Sequence, residues 1–580
     1  MSPEKKTAIK KEGRKMNKFK ILFTVILLPF ALSAQEEDQN VPGGEHTIHA
    51  DFNPTLIDAQ KLQNKPIMFD TIVEIKPMQY QLIKVKGSTI LRLDTIKPAR
   101  LRLQASNKKL YKGYAKAGIG LYTTPLIEVH YNQTRSRKGG YGINLGHFSS
   151  AGGLNDVGKS SYSDNNIGIW GKKFYKEHQL DGSFFYNRNM VHFYGYPADE
   201  IPDSVAVDDD DQKQIFSHIG AQGGWRSYYK DSAKVNHSIN LRFYNLKDNF
   251  DTQENNVLFE SEFNKYRNKE LYALEFSADI NDYKRDRRIE GDTRQNTNTI
   301  LRFLPNISTV GKNYRVLVGL GIYVDAMNQA NFHFYPHAEF RYSLFDDLII
   351  PYAGITGSKN RNSFKTVTDE NSFVVSDPEL RNTNKKIDIY GGFRGTISSK
   401  SAFNAFVSYK KFDDQLFYVM DTLSPLANRF DVVYDEMTVF TIGGELSYDD
   451  GEELALYTRA EVHTYNTEEQ AEAWNLPSFK WTVGGTYDLR NKIILKAEVY
   501  LLGERKAASV IPEDGELLNS TPFTRTLDPY FDLYLGVEYR YTKRLSAFLD
   551  MSNLTAAKYE RWYNFPTQRF LLMGGVTYSF

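Results

Sequence analysis

The sequence predicts an all-β fold: a transmembrane outer-membrane antiparallel β-barrel of about 22 strands over residues 111–580, preceded by a short N-terminal periplasmic segment. Three observations predict it. The chain ends at Phe580 on a strand whose one face reads Phe570, Leu572, Gly574, Val576, Tyr578 and Phe580, opposite Leu571, Met573, Gly575, Thr577 and Ser579. Such a terminal aromatic suits a last strand that meets the membrane interface. Next, short turns alternate with long polar connections along the chain. Finally, Tyr (38) and Phe (37) are abundant although mean hydropathy is only −0.50. A barrel whose lipid-facing and lumen-facing residues alternate averages out in this way.

The N-terminus carries an export address. Lys5, Lys6, Lys10, Lys11, Arg14, Lys15, Lys18 and Lys20 precede an apolar run, 21–32, and then Ser33-Ala34-Gln35. This is the basic, apolar and small-residue order of a secretory signal peptide, residues 1–34, cleaved after Ala34; Met16 is an alternative start, leaving 1–15 upstream. The apolar run is too short to span a bilayer as a helix, and no later run reaches 18 apolar residues. Net charge is +1, which argues against nucleic-acid binding, and the absence of Cys excludes disulfides, thiolate metal sites and an N-terminal lipid anchor on cysteine.

Read backwards from Phe580, the alternation repeats. Phe531, Leu533, Leu535, Val537, Tyr539 and Tyr541 oppose Asp532, Tyr534, Glu538 and Arg540; Ile493, Leu495, Ala497, Val499 and Leu501 oppose Lys496, Glu498 and Tyr500. Phe479, Trp481, Val483, Tyr487 and Leu489 oppose Lys480, Thr482, Asp488 and Arg490, and Leu454, Leu456, Ala460 and Val462 oppose Tyr457, Arg459 and Glu461. The charges keep to one side, as they must when a charge facing lipid costs roughly 2–4 kcal/mol at mid-membrane. Upward strands begin near 111, 140, 178, 234, 268, 314, 348, 402, 454, 493 and 545, each with a returning partner. The short turns belong to the periplasmic side. The long stretches 150–161, 192–212, 247–255, 284–291, 361–385, 421–435, 467–475 and 505–527 belong outside.

Two segments resemble a known family. Asn553-Leu554-Thr555, Lys558-Tyr559, Phe565-Pro566, Arg569 and the strand to Phe580 resemble the final hairpin of TonB-dependent outer-membrane receptors; Ser376-Asp377-Pro378-Glu379-Leu380-Arg381-Asn382 is similar to the segment those receptors carry before a mid-barrel strand. The resemblance covers 111–580 and implies an outer-membrane location in a Gram-negative bacterium, assembly by the barrel-assembly machinery through the strand bearing Tyr578 and Phe580, and transport or ligand reception. It also implies TonB as a partner. Asp70-Thr71-Ile72-Val73-Glu74 resembles the short box that pairs with TonB by strand addition, although a plain short strand reads the same and Asp94-Thr95-Ile96 nearly repeats it. The family's folded plug is not recognisable in 35–110.

A lumen of this width needs filling. The candidates are 35–110, the long loops folded inward, or another subunit. Residues 82–103 alternate apolar and polar around Pro98 and carry Lys84, Lys86, Arg92, Lys97, Arg100 and Arg102, which suits either an extended lumen segment or a periplasmic tether.

Chemical motifs are sparse, so no catalytic, cofactor-binding or metal-ligating residue is assigned and no cofactor is expected. His46 and His49 lack a carboxylate cluster, and Asp208–Asp211 lacks the glycine spacing of a formed Ca²⁺ loop. His147-Phe148-Ser149-Ser150 invites a hydrolase reading, but no Gly-x-Ser-x-Gly elbow and no oriented third residue can be named, so the chain reads as a non-enzyme. Gly118 and Gly120 read as close-packing positions. Trp474, Trp562 and Tyr563 read as ligand-stacking aromatics or, more commonly, interface girdle residues. Two functions remain: a barrel of the TonB-dependent receptor type, or a plugless accessory barrel within an assembly of lipoprotein or periplasmic subunits.

Overall fold

The computed structural model describes residues 111–198, 207–286, 293–327, 329–509 and 523–580. The expected signal peptide, the 35–110 segment, Asp70–Glu74, and His46 with His49 lie outside the described residues.

Twenty-two strands form one closed antiparallel sheet. The first strand, Gly113–Gly120, pairs on one side with Thr124–Ser136 and on the other with the last, Leu571–Ser579, so no edge is left. At that seam Tyr114 faces Ser579 and Gly120 faces Met573. Glycine is needed there for space: a Cβ on Gly575 would sit 2.1 Å from the Ala117 carbonyl oxygen, and one on Gly118 would sit 2.8 Å from the Phe548 ring. Phe580 is held by backbone, its carbonyl accepting from Lys112 and Gly113 N–H at 2.9 and 2.8 Å. It lies at the short-turn rim, as its reading as the periplasmic terminus requires.

The upward strands begin at Gly113, Gly139, His178, Asn236, Glu270, Tyr314, Ile350, Ser401, Leu454, Ile493 and Leu545, within two residues of their predicted starts. The alternation holds too. Val576, Tyr578 and Phe580 are exposed on the outer surface, whereas Met573 and Thr577 are buried inside. The outer surface is an apolar band that includes Ile143, Ile167, Ile169, Leu241, Val318, Ile389, Val407 and Ile442, and its short-turn rim carries Tyr141, Trp225, Tyr266, Tyr314 and Tyr541 as an aromatic girdle. The turns suit the tight hairpins: in the three-residue connection 490–492, Arg490 and Asn491 both take left-handed φ values, 54° and 56°, and Lys492 N–H donates to the Leu489 carbonyl at 3.0 Å.

Three features depart from expectation. The outer stretch after Asn360 contains a helix, Phe364–Glu370, in a chain read as all strand and loop. The stretch after Leu502 forms a small hairpin, Arg505–Ser509 with Phe523–Leu527. The segment 553–570, read as part of the final hairpin, is a long outer connection with its own strand pair, Glu560–Trp562 and Phe565–Pro566. On the same end, the connections 121–123 and 327–329 are short.

Candidate functional site: inward-folded loops at the outer mouth

The helix Phe364–Glu370 has no length to stand alone; its environment makes it. Ser363 caps it by accepting from Thr366 N–H while the Thr366 side chain accepts from Ser363 N–H, a capping box with threonine as the returning residue. Beyond that cap stands Glu254, a fully buried carboxylate on the lumen wall. It accepts from Phe364 N–H at 2.7 Å, from Lys365 N–H at 3.4 Å and from the Tyr244 hydroxyl at 2.7 Å. A negative charge at this end of a helix meets unpaired N–H groups, which is favourable. Arg361, just before the helix, pairs with Asp279 of the wall at 2.8 Å. The burial of Arg361 lowers its pKa and is outweighed by Tyr244, Asp279 and Glu254, so it stays firmly charged.

The Ser376–Asn382 segment is the second anchor. Ser376 carbonyl accepts from the Thr252 and Tyr283 hydroxyls at 2.6 and 3.2 Å. Arg285 donates to the Asp377 carbonyl at 2.9 Å and to that of Pro378. Asn382 exchanges amide hydrogen bonds with Asn298 and donates to Asp325 at 2.9 Å. The motif that carried the family resemblance is therefore a strap tied to three successive wall strands, Glu270–Asp286, Thr293–Val310 and Tyr314–Ala326, with Thr252 beside them.

Between the anchors lies an aromatic core. Phe364, Val367, Val374, Val375 and Leu380 of the loop are buried with Phe216, Tyr244, Leu246 and Tyr283 of one arc of the wall, Tyr418, Phe430 and Val432 of a second, and Trp562 and Phe565 from the connection before the last strand. These arcs are well separated around the barrel, so a single core that joins them crosses the bore. Phe373 stacks on Phe565 with centroids 4.0 Å apart, and Tyr194, from yet another outer connection, meets Phe565 at 4.9 Å and donates to the Pro566 carbonyl at 3.0 Å. Burial raises the pKa of Tyr194 and of Glu560 in these loops. The loops thus pack across the outer half of the lumen, and of the three expected lumen fillers the inward-folded loops are seen among the described residues.

Below them the wall is polar. A crevice of about 390 Å³ separates the helix face bearing Lys365, Thr368 and Asp369 from an amide-rich wall with Asn166, Asn187 and Asn189. Nearer the short-turn rim a cavity of about 860 Å³ is lined by Arg315, Arg341 and Arg394 among others. Arg315 and Arg341 face each other directly across two strands. Like charges so placed repel, and among the described residues neither makes an ion pair. Glu445, in the same cavity, is engaged by Arg459 at 2.6 Å.

The other sequence candidates resolve as follows. Trp474 and Trp562 are buried in loop cores, so neither is a girdle residue or an exposed stacking platform. Asp208–Asp211 is a turn: Asp208 accepts from Asp210 N–H, and Asp209 pairs with Lys159 at 2.8 Å, whose hydrogen bond lowers its pKa. Gly118 and Gly120 are close-packing positions. For His147 and Ser149 the structure supplies the third residue that the sequence does not name: His147 Nδ1 is 2.7 Å from Asn165 Oδ1, and Ser149 Oγ is 3.1 Å from His147 Nε2. The missing signal was strand register, which pairs His147 with Asn165 across an 11-residue connection, 151–161, of no recognisable turn type.

The fold has solved relatives. The FrpB iron transporter from Neisseria meningitidis superposes with a TM-score of 0.61 at 9% identity, over 82% of this chain and 82% of that one. The ferric-catecholate import receptor Fiu from E. coli K12 gives 0.58 at 10%, over 81% and 82%. The pyoverdine receptor FpvA from Pseudomonas aeruginosa PAO1 gives 0.59 at 10%, over 81% and 79%. This chain shares their barrel. No protein-family model and no curated protein matches the chain in sequence.

Proposed function

We propose that this chain is an outer-membrane receptor or transporter whose outer mouth is gated by the 361–382 loop. The observation that carries the reading is the buried network at Glu254, Arg361 and Arg285, which fixes a short helix and strap across the bore. The hydrogen bonds and ion pairs that anchor the aromatic core to the wall are contacts for which a ligand can compete, and so reopen the lumen. Barrel neighbours that include an iron transporter, a siderophore receptor and a copper transporter support transport or ligand reception at that coarse level. The amide crevice and the arginine-lined cavity give a polar route below the gate.

On this reading TonB supplies the energy for opening through the N-terminal segment, with Asp70–Glu74 as the point of contact. The test is growth-linked uptake in the native host. Loss of TonB and loss of this chain should abolish accumulation of the same solute. If accumulation depends on the chain and is indifferent to TonB, the receptor reading fails in favour of an accessory barrel.

A further inference from the structure

The geometry points to a serine esterase site on the outer surface of the barrel, with Ser149 as nucleophile, acting on acyl-ester lipids of the surrounding leaflet. It is separate from the gate: the gate faces the lumen, and this site faces the membrane.

The site is a rectangle on two paired strands, Gly139–Ser150 and Tyr162–Tyr175. Ser149 lies opposite Ser163, and His147 opposite Asn165. All four share the outward face, because they alternate with Phe148 and Ser150, which face the lumen, and continue the line of exposed Ile143 and Leu145 on one strand and of exposed Ile167 and Ile169 on the other. The neighbouring strand, Thr124–Ser136, sets Ile127 beside His147. A knot of polar side chains at the edge of an apolar, lipid-facing surface is costly unless its members satisfy one another or serve a purpose.

They satisfy one another in one direction only. Asn165 Nδ2 donates to Ser163 Oγ at 3.0 Å and to the Arg188 carbonyl at 3.3 Å, which fixes the amide so that Oδ1 points at His147. His147 Nδ1 therefore carries the proton and donates at 2.7 Å, leaving the Nε2 lone pair to accept from the Ser149 hydroxyl at 3.1 Å. This is the tautomer a general base needs, with nucleophile, base and orienting group in sequence. Ser163 accepts from Asn165 and keeps its own O–H, placed directly across from Ser149, to donate to an oxyanion.

The step balances with water as co-reactant. Ser149 Oγ attacks the ester carbonyl carbon as His147 Nε2 takes the hydroxyl proton. The carbonyl–alkoxy bond breaks and His147 returns that proton to the departing alcohol. Water then attacks the acyl-serine, giving one proton to His147, which passes it to Ser149 as the fatty acid leaves. Asn165 is a positioning residue.

The full chain, folded in detergent, is treated with a fluorescent fluorophosphonate, which labels activated serines. Labelling at Ser149 is expected, lost in Ser149→Ala and in His147→Ala. Asn165→Ala should slow labelling and shift its pH profile, Asn165→Asp should restore the rate, and Ser163→Ala should cost about 10²-fold, in the range of a lost oxyanion donor. Vesicles of phosphatidylethanolamine and phosphatidylglycerol, compared with vesicles carrying an ester-acylated glycolipid, identify which lipid releases fatty acid. Each variant must keep the heat-modifiable mobility of a folded barrel. No labelling of Ser149 in the folded parent, labelling unchanged in His147→Ala, or equal fatty-acid release by Ser149→Ala overturns the proposal. None of these readouts depends on the gate or on TonB.

Discussion

Glu254 is a wall residue whose carboxylate ends a helix that begins 110 positions later in the chain. Removing it in Glu254→Ala leaves the Tyr244 hydroxyl and the Phe364 N–H without their acceptor inside a buried site, a cost of about 1–3 kcal/mol. Thermal unfolding should report a lower midpoint, and hydrogen exchange should report faster exchange at Phe364 and Lys365. Phe364→Ala empties the centre of the aromatic core and should cost about 3–5 kcal/mol, measured by the same two methods. Glu560 gives the pH dependence. Burial raises its pKa, so its carboxyl is easier to bury protonated than charged. The closed loops therefore keep their full stability below the ordinary glutamate pKa and lose part of it as pH rises from there through the raised value. Glu560→Gln should flatten hydrogen exchange of the 553–570 connection across that window; an unchanged pH profile would mean that another group governs it.

The elements differ in how much of them was written locally. Strand starts were legible because lipid outside and a charged lumen inside impose a period of two on every strand, and a slip of one residue would turn charges to lipid. The helix was not legible: Phe364–Glu370 is under two turns, two of its seven residues are threonine, and it exists because Glu254 and the surrounding aromatics hold it. The loop nature of 553–570 was missed for a related reason, since Trp562 and Phe565 look like strand residues and are core residues of a lid. The Ser149 and His147 pair was visible in the sequence, whereas Asn165 was fixed only by register. At the arginine cavity, Arg315 and Arg341 are cross-strand neighbours without an acidic partner among the described residues. Arg341→Gln should be neutral or stabilising by roughly 0.2–1 kcal/mol, a gain read as a raised unfolding midpoint. A lowered midpoint would show that the guanidinium is a structural anchor.

At the scale of the molecule, the closed sheet and its apolar exterior make a barrel wide enough to leak, and the described residues show the long outer loops crossing the bore. The question is whether 35–110 or the 361–382 loop holds the barrel shut. Single-channel recording in planar bilayers separates them, using the parent chain, a chain lacking 35–110, and a chain lacking 35–110 in which 363–381 is replaced by a short glycine-serine linker. With the outer loops as the gate, the first two stay closed and the third opens in large, stable conductance steps. Large steps already present in the chain lacking only 35–110 would show that the outer loops are not the gate.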